Sequence, residues 1–356
     1  MNITTQDTIR VQKITKSRIN EIDFENLVFG KNFSDHMFEC DYIDGKWQNS
    51  LIRPYGDITI SPAAKVFHYG QAVFEGMKAY KDDNGKIFLF RPDENLLRIN
   101  KSSKRMAIPE FPKDLFFEAL QKLIELDKDW VKPGLGHSLY IRPFSMATQI
   151  GVAAAPSDQY KFMILLSPVN AYYSGDVKVQ IAEHYSRSAN GGVGAAKAAG
   201  NYGAQFYPTN LAREKGFQQV IWTDADEHKY LEEAGTMNVF FRINDTLITA
   251  PTSDRILDGV TRKSLIKLAE RDGVNVEVRP IEVSELVDAA KNGSLKEIFG
   301  AGTAAVVSPV SAFGYKDVVY DLPPTQGGYS AKFKKELMDI QYNRSEDPFG
   351  WRYEIV

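Results

Sequence analysis

Apolar residues recur along this chain with two different periods. Runs with the composition of strands appear as "KIFLFRP" (86–92), "HSLYIRPFSMA" (137–147), "KFMILLSPV" (161–169), "VKVQIAEH" (177–184), "QQVIWTD" (218–224) and "NVFFRI" (238–243). They are rich in β-branched and aromatic residues and bounded by turn formers. Between them the spacing becomes helical. In "DLFFEALQKLIELDKDW", Leu115, Phe116, Ala119, Leu120, Leu123 and Ile124 fall on one face behind Asp114, a predicted cap. In the same way "SELVDAAKNG" is predicted to open at Ser284 and stop at Gly293, and "SAKFKKELMDIQ" to open at Ser330. The pattern predicts a mixed α/β (α+β) fold with strands often consecutive. Proline, asparagine and glycine break it in "PVNAYYSGD", which predicts a linker over 170–177 between a domain at 1–169 and another at 178–356. Junctions of this kind favour ligand sites.

Composition narrows the function classes. With 43 basic against 46 acidic residues the net charge is −3, so no basic excess invites nucleic acid. No stretch approaches the roughly 18 apolar residues of a spanning helix, and no apolar run follows the charges of "MNITTQDTIRVQKITKSR", so a cytoplasmic protein without membrane partners is expected. The single cysteine, Cys40, agrees with a reducing compartment. The histidines at 36, 68, 137, 184 and 228 lack paired ligand spacing, and no metal site is expected. No G-x-S-x-G elbow offers a hydrolase nucleophile.

One lysine stands apart. In "GGVGAAKAAGNYGA" (191–204), Lys197 has only glycine and alanine as near neighbours. The phosphate-loop pattern fails, because Ala196 and Ala198 flank the lysine, and the dinucleotide fingerprint lacks its third glycine. Small neighbours let a flat ligand approach the backbone, and loss of water favours the free amine, a nucleophile toward an aldehyde. Tyr202 and Arg187 lie nearby in sequence. Glu233, in "YLEEAGTMNVFFRIN", precedes a glycine turn and is a candidate to hold a proton on a buried ring nitrogen. The amides of Val260 and Thr261, after Asp258 and Gly259, open a predicted helix and form a candidate anion site. Thr303 and Ala304 follow a glycine pair in "IFGAGTAAVVSPV", and Arg98 lies on another predicted helix. Taken singly, each also reads as a loop lysine, a solvated Glu pair or a capped surface helix. Together they describe an aldehyde-bearing, phosphorylated pyridine, pyridoxal 5′-phosphate.

The motifs "VFGKNFSDHMF", "HYGQAVFEGMKAY", "LYIRPF", "GGVGAAKAAGNYG", "EEAGTMN", "LDGVTRKS" and "FGAGTAAVVSPV" resemble, in this order, the branched-chain amino acid aminotransferases of class IV, fold type IV. The resemblance runs through nearly the whole chain. It implies a smaller N-terminal α/β domain, a larger C-terminal pseudo-barrel domain that carries the lysine, and pyridoxal 5′-phosphate as cofactor. Lys197 matches the Schiff-base lysine, Tyr202 the partner of the phenolic oxygen and Glu233 that of the ring nitrogen. Arg98, Val260, Thr261 and Thr303 match the phosphate-binding set, and Arg187 and Thr236 lie among the positions matched near the cofactor. Thr303 and Ala304 match residues whose amides face the substrate carboxylate. Phe29, Tyr69, Phe74, Tyr140 and Tyr172 match the walls of the side-chain pocket, though each reads equally as a core aromatic. Arg142 is the candidate donor to the distal carboxylate of 2-oxoglutarate and glutamate. The implied reaction transfers the amino group of leucine, isoleucine or valine to 2-oxoglutarate in a homodimer to which Tyr69 or Arg142 contributes across the subunits. A redox cysteine pair present in some members is replaced here by Ala305 and Ser308. The nearest competitors within the fold are D-amino acid aminotransferases and aminodeoxychorismate lyases, and outside it a non-catalytic phosphate-ligand binder.

Overall fold

The computed structural model describes residues 8–170, 177–325 and 327–355. The chain divides into two compact units, residues 1–170 with 341–356, and residues 171–340. The last segment, read from sequence as part of the C-terminal domain, joins unit 1 because Arg352–Glu354 adds an antiparallel strand to Ile87–Phe90. Most of the expected 170–177 linker, including Tyr172, lies outside the described residues. No helix among the described residues is long and apolar enough to cross a membrane.

Unit 1 is built on a largely antiparallel sheet whose longest pairing joins Ser138–Ala147 to Tyr160–Val169. Alternation along Ser138–Ala147 decides what each face does. Leu139, Ile141 and Ala147 enter the core with Leu115, Phe116, Ala119, Leu120, Leu123 and Ile124 of the helix Lys113–Leu126. Tyr140, Arg142 and Phe144 face the other way. Pro143 brings no N–H to the ladder. Opposite it the neighbouring edge is split into Ala72–Phe74 and Met77–Lys81, with Glu75 and Gly76 between. Glu75 still donates its amide to the Pro143 carbonyl at 2.7 Å.

Three helix starts differ from expectation. Asp114 lies inside the first turn of Lys113–Leu126, whose N-cap is Pro112 without a side-chain cap. Ser284 lies inside Val283–Lys291, and its hydroxyl donates to Glu282. Ser330 lies inside Tyr329–Gln341 and donates from a buried position to Glu297. In all three, the chain turns helical before the polar residue.

Unit 2 carries a mixed sheet in which Val306–Tyr315 pairs in parallel with Val177–Ile181 and antiparallel with Leu295–Gly302. Gln219–Thr223 extends one side to the edge strand Leu231–Ala234, and Asn238–Ile243 extends the other. Two turns come side by side here. Asn238 is registered against Ala301, so the 234–237 turn lies next to Gly302, where a Cβ would sit 3.2 Å from the Thr236 carbonyl oxygen.

Candidate active site

Unit 2 carries Lys197, Tyr202, Arg187 and Glu233. Lys197 is half-buried just before the short helix Ala199–Gly203, and its Nζ lies 2.8 Å from Tyr202 Oη. The loop before it is pinned. Asn201 Nδ2 donates to the Val193 and Ala196 carbonyls, and the Ala195 amide donates to that of Asp254. Gly194 has no room for a side chain, since a Cβ would come within 2.5 Å of the Arg255 carbonyl oxygen. At this glycine the backbone needs space to pack against its own fold, a reason the sequence pattern did not offer.

Arg187 joins three segments. Its Nη1 donates to the carbonyls of Gly194 and Arg255 at 3.1 and 2.8 Å and lies 2.7 Å from Glu233 Oε1. Both side chains of that ion pair are buried. Glu233 stands on the edge strand Leu231–Ala234, and alternation turns Glu232 to the opposite side, against Arg255. Burial pushes the Glu232 carboxyl up to about 7, with Arg255 opposing.

The helix Val260–Arg271 begins at Gly259 with no side-chain cap, and Val260 and Thr261 are buried. First-turn amides have no partner within a helix, so a buried, uncapped start leaves donors for an anion. Thr303 and Ala304 occupy the turn between Leu295–Gly302 and Val306–Tyr315, both half-buried. Val306 closes that turn at φ 58°, a conformation that costs a β-branched residue strain. Thr236 is exposed in the adjacent turn.

Unit 1 gathers a second set. Arg142 Nη2 donates to Tyr140 Oη at 2.9 Å, and its guanidinium lies over the Phe74 ring at 4.6 Å. Phe29 meets Tyr140 edge-on with centroids 4.9 Å apart. Arg142 Nε is buried and makes no hydrogen bond to the described residues. Gly76 makes the close packing possible: a Cβ there would lie 2.2 Å from Tyr140 Oη. Arg98 is held by a fork, Nε and Nη2 donating to the two oxygens of Glu75 at 2.6 and 2.8 Å. Glu75 is fully buried and also accepts from Asn95 and the Gly76 amide. Tyr69 stands apart from this set, exposed on Lys65–Tyr69 and donating to the Val152 carbonyl.

The family profile Amino-transferase class IV matches residues 72–313. A curated relative from Bacillus subtilis (strain 168), branched-chain-amino-acid transaminase 1, is 45% identical over 339 residues, 94% of this chain and 95% of its own. The chain belongs to the branched-chain-amino-acid aminotransferases of class IV. Solved structures share the fold type IV architecture. A branched-chain aminotransferase from Thermoproteus uzoniensis, with norvaline, superposes with a TM-score of 0.74 at 21% identity, covering 90% of this chain and 100% of its own. A branched-chain amino acid aminotransferase from T.th., complexed with N-(5'-phosphopyridoxyl)-L-glutamate, gives 0.70 at 24% identity over 89% of this chain and 98% of its own.

For a branched-chain aminotransferase, four residues missed in the sequence reading are notable. Glu75, itself held by Asn95, fixes Arg98. Lys78, cross-strand from Tyr140, is buried, and burial pushes its ammonium down to about 8. Asn238 lies inside the "EAGTMNVF" signature, yet its partners at 233 and 257 appear only in three dimensions. A lysine in the apolar-looking run "GMKAY" was the one sequence signal available for Lys78.

Proposed function

We propose that the chain transfers the amino group of leucine, isoleucine and valine to 2-oxoglutarate, giving branched 2-oxo acids and L-glutamate, with pyridoxal 5′-phosphate as cofactor. The observation that carries this reading is the 2.8 Å contact of Lys197 Nζ with Tyr202 Oη, in the same unit as a buried carboxylate and an uncapped helix start. The donor set suits the group: an amine for the aldehyde, a phenol for the ring oxygen, Glu233 for the ring nitrogen and open amides for the phosphate. The relative from T.th., with its phosphopyridoxyl glutamate, supports the same assignment.

When bound, the cofactor supplies a ring that accepts negative charge developing at the substrate Cα. The chain's own residues do the rest. Lys197 Nζ would hold the cofactor's aldehyde and, as a free amine, would move the proton at the substrate Cα. Tyr202 Oη orients Nζ. Glu233 keeps a proton on the ring nitrogen, and Arg187 keeps Glu233 in place. The Val260 and Thr261 amides and Thr303 would bind the phosphate, a role Arg98 shares in the resemblance, with Thr236 near the cofactor and the Thr303 and Ala304 amides toward the substrate carboxylate.

Phe29, Phe74 and Tyr140 lie together in unit 1 and suit branched side chains, a role that the resemblance also gives Tyr172 and Tyr69. One methylene in such a slot is worth only about 1–3 kcal/mol, so all three substrates are accepted. For the distal carboxylate of 2-oxoglutarate, the buried Arg142 Nε, which has no hydrogen-bond partner among the described residues, supports Arg142 as donor. A homodimer is also proposed: Phe67, Tyr69, Ile150 and Val152 expose a cluster of large apolar side chains on unit 1, and such patches mark association surfaces. A cytoplasmic location fits a chain whose one cysteine, Cys40, is buried and unpaired.

Steady-state assays of L-leucine and of D-alanine, each with 2-oxoglutarate, test the reading. Turnover of L-leucine, abolished in Lys197→Ala, is the expected result. Preference for D-alanine, or wild-type turnover in Lys197→Ala, contradicts it.

A further inference from the structure

Asn238 opens the strand Asn238–Ile243, its backbone registered against Ala301 and its side chain buried. The Nδ2 group donates in two directions, to Glu233 Oε2 at 3.0 Å and to the Leu257 carbonyl at 2.9 Å. The Leu257 amide in turn reaches both oxygens of Glu233, at 3.3 and 3.2 Å. Only Asp258 and Gly259 separate Leu257 from the helix Val260–Arg271. The other edge of the same amide lies against that entry, since a Cβ at Gly259 would fall 1.9 Å from Asn238 Oδ1. One primary amide therefore touches the carboxylate on the edge strand and the turn that leads to the uncapped helix start.

Few side chains have both the donors and the reach. Aspartate copies the shape but brings no N–H, and serine is too short to span two partners. Because Asn238 is fixed through its strand, neither Glu233 nor the 257–259 turn can shift without breaking a hydrogen bond to it.

We propose that Asn238 is a positioning residue that fixes the Glu233 carboxylate relative to the amino end of helix Val260–Arg271, so that a flat phosphorylated ring is gripped at both ends in one geometry. The inference rests on the reading that pyridoxal 5′-phosphate is the cofactor and that Glu233 and these helix amides are its anchors.

The test uses the full chain stripped of cofactor and titrated with pyridoxal 5′-phosphate, followed by visible absorbance, in wild type, Asn238→Asp and Asn238→Ser. Far-ultraviolet circular dichroism and Tm report folding. Losing a donor to a charged group is expected to weaken cofactor binding about tenfold or more in both variants. In Asn238→Asp the loss is largest at high pH, where two carboxylates meet, and is partly recovered at low pH, where a protonated Asp can donate again. The pH midpoint of the bound cofactor's absorbance moves with it. A side chain that served only the fold would lower Tm and leave that midpoint where it was. Wild-type affinity and midpoint in both folded variants overturn the inference, as does loss of folding in both. If Asn238→Asp alone fails to fold, the affinity of Asn238→Ser decides. Failure of the wild-type chain to bind pyridoxal 5′-phosphate is a different result, which overturns the cofactor reading itself.

Discussion

Arg187 and Glu233 form a buried ion pair, Nη1 to Oε1 at 2.7 Å, and the same Nη1 holds the carbonyls of Gly194 and Arg255. The loop that ends at Lys197 and the strand that carries Glu233 are thus fastened by one guanidinium. Removing one member of a buried pair leaves the other charge without compensation, which costs about 3–5 kcal/mol. Arg187→Met is expected to lose stability on that scale in urea denaturation. A loss within about 0.5 kcal/mol, the size of an ordinary surface substitution, would show that the pair does not hold the loop.

Gly76 sets the position of Tyr140. A methyl group at 76 would overlap Tyr140 Oη, 2.2 Å from the Cβ position, and would push the ring away from Phe29 and Arg142. In Gly76→Ala the proposed pocket wall is expected to move while Lys197 and Tyr202, in the other unit, keep their contact. The expected outcome is a raised KM for L-leucine, about tenfold for the loss of one good apolar contact, with cofactor affinity unchanged. Unchanged KM would separate Gly76 from pocket shape.

Glu232 makes stability depend on pH. Its carboxyl is pushed up to about 7 by burial, against the opposing pull of Arg255, whose Nε lies 2.5 Å away. A raised carboxylate pKa means the folded chain holds the proton more tightly than the unfolded one. Its contribution is therefore complete below the ordinary carboxylate range, near 4.5, and is lost as pH rises through about 7. Glu232→Gln removes this slope. Denaturation at a series of pH values is expected to show wild type falling relative to Glu232→Gln across that window, by ~3 kcal/mol at most. Parallel curves would contradict the assignment.

The sequence disclosed this architecture unevenly, for physical reasons. The helix Lys113–Leu126 was legible because its six core residues repeat at helical spacing on a single face, and all six are buried. Strands 36–43 and 46–54 were not, because "HMFECDYI" and "KWQNSLIRP" mix charge and amide into the pattern. The return of the C-terminal segment to unit 1 rests on Arg352 pairing with Phe90, a contact with no local signal. In the candidate site, Lys197 was legible through its small neighbours, and Glu233 through the turn that follows it. Glu75 and Asn238 were not, because what makes each of them matter is a distant partner, Arg98 at a separation of 23 residues or Leu257 at 19, brought close by a broken strand or a turn.

The proposed transamination requires Lys197 to carry the cofactor. Borohydride reduction of the chain loaded with pyridoxal 5′-phosphate, followed by peptide mapping, tests it directly. A phosphopyridoxyl group on the peptide containing Lys197, and its absence there in Lys197→Ala, is the predicted result. An unmodified Lys197 in the loaded protein, with the label on another lysine or on none, would contradict it.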